Sequence, residues 1–453
     1  MAEAVRHDKT ARQLRLLSDA LDSGRLGPVK RLINTLAPAE IGNLLESLPP
    51  GKREVVWGLV DAEDDGEVLL HVGEEVRESL LAEMDTDEIV AAVEDLDIDD
   101  LADLVEDLPD TVIDEVLKSM DRENRERLEQ VLSYAEDTAG RLMNPDVVTV
   151  RADVNVDVVL RYLRLRGELP DHTDHLFVVS RRHQYLGRVS LASLVTHEDT
   201  TPINRLIDDE QPAIDVNESD QEVARQFSDH DWVSAPVVDE NNILLGRITI
   251  DDVVDIIRAE AEHQALGAAG LDEEEDLFSP IKRAVRGRIV WLGINLATAF
   301  LAATVIGQFE MTLEKVVALA ILMPIVAGIG GNAAVQVLTL MVRGLALGQV
   351  GASNARILLW KEIRVALING VLIGGLVGLI AWVWFGSPLL MLVIALALVI
   401  NFCAAALAGV LLPLLLKRLN VDPAVAGTVV VTAVTDVIGF FSFLGLATLI
   451  LIR

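Results

Sequence analysis

Residues 422–453 read DPAVAGTVVVTAVTDVIGFFSFLGLATLILIR, and the 30 positions between Asp422 and Arg453 hold one charge, Asp436. About 20 consecutive apolar residues cross a bilayer as a helix, so this stretch predicts a membrane span with a carboxylate inside it. The same signal recurs upstream. Uncharged runs of 21 and 27 residues lie between Arg288 and Glu310 and between Lys315 and Arg343. Another 52 uncharged residues separate Arg364 from Lys417, divided by Gly386-Ser387-Pro388 into runs of 21 and 28. Buried helices of a soluble bundle can mimic one such run but not five in series, so five transmembrane helices are expected.

Charge divides the chain at the same place. It has 453 residues, 51% of them hydrophobic, with a formal charge of −32. Residues 279–453 hold 12 Lys or Arg against 5 Asp or Glu, a balance of +7, which leaves −39 on residues 1–278. The acidic part argues against nucleic acid and for cationic partners. One cysteine, Cys403, excludes a disulfide framework and a multi-thiolate metal site. The opening MAEAVRHDKT has no apolar run after a basic segment, so no cleaved export signal is expected. Arg283, Arg286 and Arg288 precede the first span, Arg343, Arg356, Lys361 and Arg364 lie between the second and third, and Lys417 and Arg418 between the fourth and fifth. The positive-inside rule then predicts a multi-pass protein of the plasma or inner membrane, its N-terminal 278 residues cytoplasmic and its C-terminus outside. Trp291, Trp360, Trp382 and Trp384 fall near span ends, where interfacial anchors belong.

Two spans carry more polarity than lipid tolerates. The second contains Pro324, Gly328, Gly330 and Gly331, with Asn332 and Gln336 four apart on one face. In the fifth, Asp422 is placed to cap the helix with Pro423 at its first position. Thr428, Thr432 and Asp436 follow at i, i+4 and i+8, beside Thr435. Asp436 lies roughly 20 Å into the span at 1.5 Å per residue. A carboxylate there costs about 2.5–3.5 kcal/mol, and such residues mark ion or proton pathways. The bland alternative is a protonated Asp436 bonded to a neighbouring helix; for Asn332 and Gln336 it is glue between helices. No span holds a basic residue to pair with Asp436. Gly370, Gly374 and Gly378 form a small-xxx-small packing row in the third span. No nucleophile–base set or phosphate loop is visible, so no enzyme is expected.

Residues 137–258 contain an internal repeat, with copies over 137–200 and 201–258. Val147-Val148-Thr149-Val150, His175-Leu176-Phe177-Val178-Val179 and Leu186-Gly187-Arg188-Val189-Ser190 read as strands in the first copy. Pro212 to Val216, Ala235-Pro236-Val237-Val238 and Leu245-Gly246-Arg247-Ile248-Thr249 match them in the second. This order resembles a tandem CBS pair, a regulatory α/β module that often binds adenosine nucleotides. The resemblance implies that Thr249 and Asp252 hold a ribose, with Trp232 a candidate to stack on the base. The plain alternative is that Asp252 caps the closing helix. Ser190 and Ser193 stand at the corresponding first-copy positions, which leaves a single nucleotide site, with ATP the candidate ligand.

Residues 1–136 show helical periodicity, and Leu36, Ile41, Leu48 and Pro49 recur 60 positions later as Leu96, Leu101, Leu108 and Pro109. Short stacked helices with Pro at the turns predict an α-superhelix. Glu94, Asp95, Asp97, Asp99, Asp100, Asp103, Glu106 and Asp107 crowd one stretch of it, with Asp99 and Asp103 expected on one helix face. Such a run is commonly only a solvated face. Here Asp251, Asp252 and Asp255 open a connecting helix towards Gly267, followed by Asp272-Glu273-Glu274-Glu275-Asp276, so residues 259–278 form an acidic connection to a transmembrane domain over 279–453. Converging carboxylates repel, and a hard divalent cation with oxygen ligands and retained waters can bridge them.

The whole order (acidic helical domain, CBS pair, connecting helix, five spans) resembles the MgtE family of magnesium channels. The most specific stretches are Gly328-Ile329-Gly330-Gly331-Asn332 with Gln336, Leu412-Pro413, Asn420-Val421-Asp422-Pro423-Ala424, and Asp436-Val437-Ile438-Gly439. The resemblance implies a multi-domain membrane protein: an all-α superhelical N domain, an α/β CBS pair, a plug-like connecting helix and a five-helix transmembrane domain. It implies a homodimer around one pore, Mg²⁺ as both substrate and regulator, and Asp436 holding hydrated Mg²⁺. Asn332, Gly328, Gln336, Thr428 and Thr432 are the other candidate pore residues. Asp99, Asp103, Asp252, Asp255, Glu260 and Asp422 are the implied sensor carboxylates. Ala334 and Val335 stand where the family often has Gly and Asn, and Thr428-Val429 where a relative carries Asn-Pro, which leaves passage of other divalent cations open. The rival readings are a proton-coupled divalent-cation transporter and a non-conducting membrane sensor of Mg²⁺ or nucleotide.

Overall fold

The computed structural model describes residues 17, 20–21, 26–94, 96–267, 269–271, 277–351, 354–419 and 421–452. Of the positions named above, Asp95, Asp272, Glu273, Glu274, Glu275, Asp276, Asn420 and Arg453 lie outside this set. The chain forms two compact units, Met1–Glu260 with Glu274–Ser279, and Ala261–Glu273 with Pro280–Arg453.

The first unit begins, among the described residues, with nine short helices between Leu26 and Leu132. The helices Pro38–Glu46 and Pro50–Trp57 return 60 positions later as Ile98–Glu106 and Asp110–Ser119. Pro49 and Pro109 each stand at the N-cap of the second helix of a pair, where a missing N–H leaves no donor unpaired. The periodic residues Ile41, Leu45, Leu101 and Leu104 are at most 1% exposed. Repeat and hairpin stacking therefore agree.

Each CBS copy is a three-stranded sheet. β1 (Thr149–Arg151) runs parallel to β2 (His175–Val179), which pairs antiparallel with β3 (Tyr185–Ser190). β4 (Ile214–Asp215), β5 (Ser234–Val238) and β6 (Leu244–Thr249) repeat that order and those senses. The copies join by reciprocal bonds: Tyr185 N–H donates to Asn242 O (2.9 Å) and Leu244 N–H to His183 O (3.0 Å). His183 and Asn242, both at positive φ, are equivalent turn residues, so the pair is related by a local two-fold. The core is not partitioned by domain. Apolar residues of the helical hairpins form one continuous cluster with Ile214, Phe227, Val237 and Ile248 of the second copy and with Ala139 and Met143 at the start of the first, while the strands of the first copy keep a cluster of their own around Val150, Leu176 and Val189. The Arg141 guanidinium, buried at this junction, donates to Ala102 O (3.0 Å).

The second unit holds five helices long and apolar enough to span a membrane: Ile281–Gly307, Ala318–Ala346, Ala355–Phe385, Pro388–Arg418 and Pro423–Leu451. The Gly-Ser-Pro turn works as its chemistry requires. Gly386 (φ +69°) ends the third span with its N–H on Trp382 O (2.7 Å), Ser387 caps the fourth, and Pro388 occupies its first position. The fourth span is the central one. Gly370, Gly374 and Gly378 lie flat against it: a Cβ at these positions would stand 2.9 Å from Val399 Cα, 2.8 Å from Ala395 O and 2.9 Å from Met391 O. Trp360, Trp382 and Trp384 are exposed, as anchors in an interface should be, whereas Trp291 packs against Gly270. A branched side chain has no room in the glycine row. Gly374→Val is expected to destabilise the second unit by about 1–3 kcal/mol, read as a lowered melting temperature in detergent; an unchanged melting temperature would contradict this packing.

Candidate functional site

The second span has two faces, each repeating every four residues and offset from the other by two. Val326, Gly330, Ala334 and Leu338 are buried against the fourth and fifth spans. Gly328, Asn332 and Gln336 are exposed on the other side, and nothing stands within 4 Å of where a Cβ on Gly328 would be. On the fifth span Thr428, Thr432 and Asp436 are half-buried beside the buried Val431, Thr435 and Gly439. A Cβ on Gly331 would lie 3.7 Å from Thr432 Cγ2, so the glycine pair of the second span meets the threonine stripe of the fifth. Thr432 Oγ1 donates to Thr428 O (2.9 Å) and Thr435 Oγ1 to Thr432 O (2.9 Å). Their hydrogens are spent on the helix, which leaves oxygen lone pairs as acceptors. Among the described residues Asp436 has neither a hydrogen-bond nor an ion-pair partner, so the interhelical bond of the bland reading is absent.

Asn401 and His263 escaped the sequence reading. Asn401, the lone polar side chain inside the long apolar run of the fourth span, is fully buried and donates from Nδ2 to Val326 O (3.0 Å). Its polarity in a lipid-length run was the available signal. His263, on the closing turns of the helix Ile250–Gly267, contacts the Asp422 carboxylate through Nε2. Asp422 also caps the fifth span, accepting from Ala424 N–H at 2.7 Å, and Gly267 packs on Val425. No spacing rule links residues 159 positions apart.

In the first unit two helix N-termini bring carboxylates together. Asp99 and Asp100 sit in the first turn of Ile98–Glu106, and Asp251 and Asp252 in the first turn of Ile250–Gly267. Asp99 is 9% exposed and its Oδ1 has no hydrogen-bond partner among the described residues. Burial, then the charges of Asp252, Asp100 and Asp97, push the Asp99 carboxyl well above the usual aspartate range. Burial and then Asp97 and Glu67 raise Asp100 to about 7. Burial and then Asp251 raise Asp252 to about 7. Asp103, four residues after Asp99 on the same helix, is exposed. Asp255 is exposed, and Glu260 accepts from Gln221 Nε2 at 3.2 Å. Among the described residues no three His, Cys, Asp or Glu side chains are gathered closely enough to hold a bare metal ion.

The nucleotide candidates divide. Thr249 is buried and directs its hydroxyl at Asp251 and at Asp252 Oδ2 (3.2 Å), while its N–H reaches the same Oδ2 at 3.2 Å. Asp252 thus caps its helix as the plain reading had it. Trp232 is corrected: it is 7% exposed, stacked on His230 (centroids 4.9 Å apart) and edge-to-face with Phe227, a core side chain rather than a platform for a base. In the first copy Ser190 Oγ and Ser193 Oγ are 2.8 Å apart at the equivalent corner.

An acidic helical unit with a CBS pair, joined to five spans that carry an aspartate without a partner among the described residues, has the make-up of a membrane transport protein for cations. The profile of the MgtE divalent cation transporter domain matches residues 323–446, that of the MgtE intracellular N domain residues 36–137, and that of the CBS domain residues 139–198 and 205–259. The magnesium transporter MgtE of Thermus thermophilus is 32% identical over 442 residues, covering 96% of this chain and 98% of that protein. The magnesium transporter MgtE of Bacillus subtilis is 26% identical over 430 residues, covering 94% and 95%. A solved cytosolic domain of the Mg²⁺ channel MgtE in complex with ATP overlays with a TM-score of 0.48 at 29% identity, covering 53% of this chain and 98% of that one. The chain belongs to the MgtE family of magnesium transporters.

The raised carboxyls set a pH dependence. Asp252 holds its proton to about 7 when folded, against about 3.9 for an unfolded aspartate. Between those values the folded state binds more protons, so stability falls as pH rises through the window and levels off above it. In metal-free buffer the melting temperature of the first unit is therefore expected to drop by several degrees from about pH 4 to about pH 7. Asp252→Asn should shallow the slope; a flat wild-type profile would contradict the buried cluster.

Proposed function

We propose that the chain is a homodimeric Mg²⁺ channel for uptake, closed by cytoplasmic Mg²⁺. The observation that carries this is the open polar face Gly328–Asn332–Gln336 beside the unpartnered Asp436 in spans that are otherwise apolar. Hydrocarbon offers such groups no partner, so they belong on a wet axis. A second copy placed against this face encloses that axis and pairs two Asp436 carboxylates across it. Val158, Tyr162 and Leu165, exposed on one helix of the first CBS copy, supply apolar area for the same association. The basic residues between spans favour a cytoplasmic N-terminal unit in the plasma or inner membrane.

Mg²⁺ dehydrates reluctantly and keeps an octahedral water shell. Asp436, Asn332, Gln336 and the acceptor oxygens of Thr428 and Thr432 suit that shell through outer-sphere hydrogen bonds, a pathway rather than a cage. The carboxylates Asp99, Asp103, Asp252, Asp255 and Glu260 are the proposed sensor of the first unit, and Asp422 is a separate candidate in the second. Hydrated Mg²⁺ neutralises their repulsion and favours the compact arrangement, and the helix Ile250–Gly267, covalently shared by both units, transmits it to the pore. A preference of a few kcal/mol for the closed state suffices. ATP is the proposed modulator at the Thr249–Asp252 corner of the second CBS copy, without stacking on Trp232. Whether other divalent cations pass rests on the same outer-sphere geometry.

Mg²⁺ influx into liposomes containing the purified chain tests both parts. Asp436→Ala should lower influx at least tenfold, and wild-type influx in that variant would end the pore assignment. Removing residues 1–136 would strip part of a shared core, so the sensor is better tested by Asp99→Asn with Asp252→Asn. This pair should conduct at Mg²⁺ concentrations that close the wild type; unchanged inhibition would remove the sensor role. Influx that requires a proton gradient would favour the coupled transporter instead.

A further inference from the structure

We propose that Asn401 is a positioning residue for the ion pathway: its carboxamide locks the second span to the fifth and so sets where Asp436 stands. The inference rests on the reading of Asp436 as the pore carboxylate and deepens it. Asn401 enters from the fourth span into a notch made by two glycines. A Cβ on Gly330 would stand 2.0 Å from Asn401 Nδ2, and one on Gly439 2.7 Å from the same atom. Only glycine fits at Gly330 while the amide is present. Gly439 lies one turn beyond Asp436, and Gly330 adjoins Gly331, which faces Thr432. One side chain therefore touches both elements that carry the candidate pathway, while neither its own helix nor its own atoms line the open face.

Volume alone does not account for this residue. Asn401 is fully buried; Nδ2 donates to Val326 O at 3.0 Å, while Oδ1 has no hydrogen-bond partner among the described residues. A buried amide with half its capacity unmet is a costlier filler than an apolar side chain of similar size. What it supplies is a directed bond from the fourth span to the backbone of the second at Val326 O. A shift of that span or of Gly439 moves Asn332 and Asp436 relative to each other, and outer-sphere selection depends on such spacing because the water shell of Mg²⁺ is rigid and that of Ca²⁺ is larger and adaptable.

The test uses the full-length protein in liposomes and reads Mg²⁺ influx, the ratio of Mg²⁺ to Ca²⁺ influx, and the melting temperature in detergent. Asn401→Leu is expected to change the influx ratio at least fivefold, and Gly330→Ala to do likewise because its methyl displaces the amide. In the pair Gly330→Ala with Asn401→Ala the methyl enters vacated space, so melting temperature should recover towards wild type while the influx ratio stays altered. A wild-type ratio in folded Asn401→Leu, or its recovery in the pair, would overturn the inference by showing that only volume matters. Should Asn401→Leu not fold, Asn401→Ala, which overpacks nothing, gives the same reading. Asp436→Ala separates the two levels. Wild-type influx there defeats the pore reading itself, whereas lost influx there with unaltered ratios in the Asn401 variants defeats only the positioning role.

Discussion

Hydrocarbon cannot hydrogen-bond, and the transmembrane unit is organised around that constraint. The second span solves it by sorting its residues in a four-residue phase. One row, Val326, Gly330, Ala334 and Leu338, is small or apolar and closes against the fourth and fifth spans. The other, Gly328, Asn332 and Gln336, is left open. Close approach on the sealed side depends on glycine: Gly330 and Gly439 admit the Asn401 amide, and Gly370, Gly374 and Gly378 admit the backbone of the fourth span. The polar row is left out of the packing, since stability is obtained elsewhere in the bundle.

The first unit applies the opposite economy. Carboxylates are set at two helix N-termini, where the dipole welcomes negative charge, but burial and then the charge of their neighbours raise Asp99, Asp100 and Asp252. This is local frustration held by a large core. Because the apolar cluster runs unbroken from the helical hairpins into the second CBS copy, a change in repulsion at Asp99 and Asp252 acts on one body that ends in the helix opening at Ile250. The first copy keeps a cluster of its own around Val150, Leu176 and Val189, and has Ser193 in place of the acid.

Much of this could be read before any fold was known, wherever one element carries the whole signal. The five apolar runs, the Gly386-Ser387-Pro388 turn, the Asp422 cap and the 60-residue recurrence of helix pairs are local, since they follow from backbone chemistry and periodicity within one stretch. The glycine row was recognisable for the same reason, although its partner was not. The candidate pore residues were visible as polarity in the wrong solvent.

What escaped depended on a second element far along the chain. Trp232 carries no mark that distinguishes a base platform from a core ring stacked on His230. Asp99 and Asp103 lie four residues apart on one helix and differ in exposure, which spacing along that helix does not encode. Asn401 looks like an isolated polar residue until Gly330, Gly439 and Val326 close around it, and His263 meets Asp422 only through the packing of Gly267 on Val425. The sequence by itself determined the number of spans, the repeats and which side chains are out of place in lipid, for period and solvent preference are properties of a single segment. Tertiary structure alone decided which of those side chains remain open and which are tied, for that depends on the close approach of surfaces that no spacing along the chain encodes.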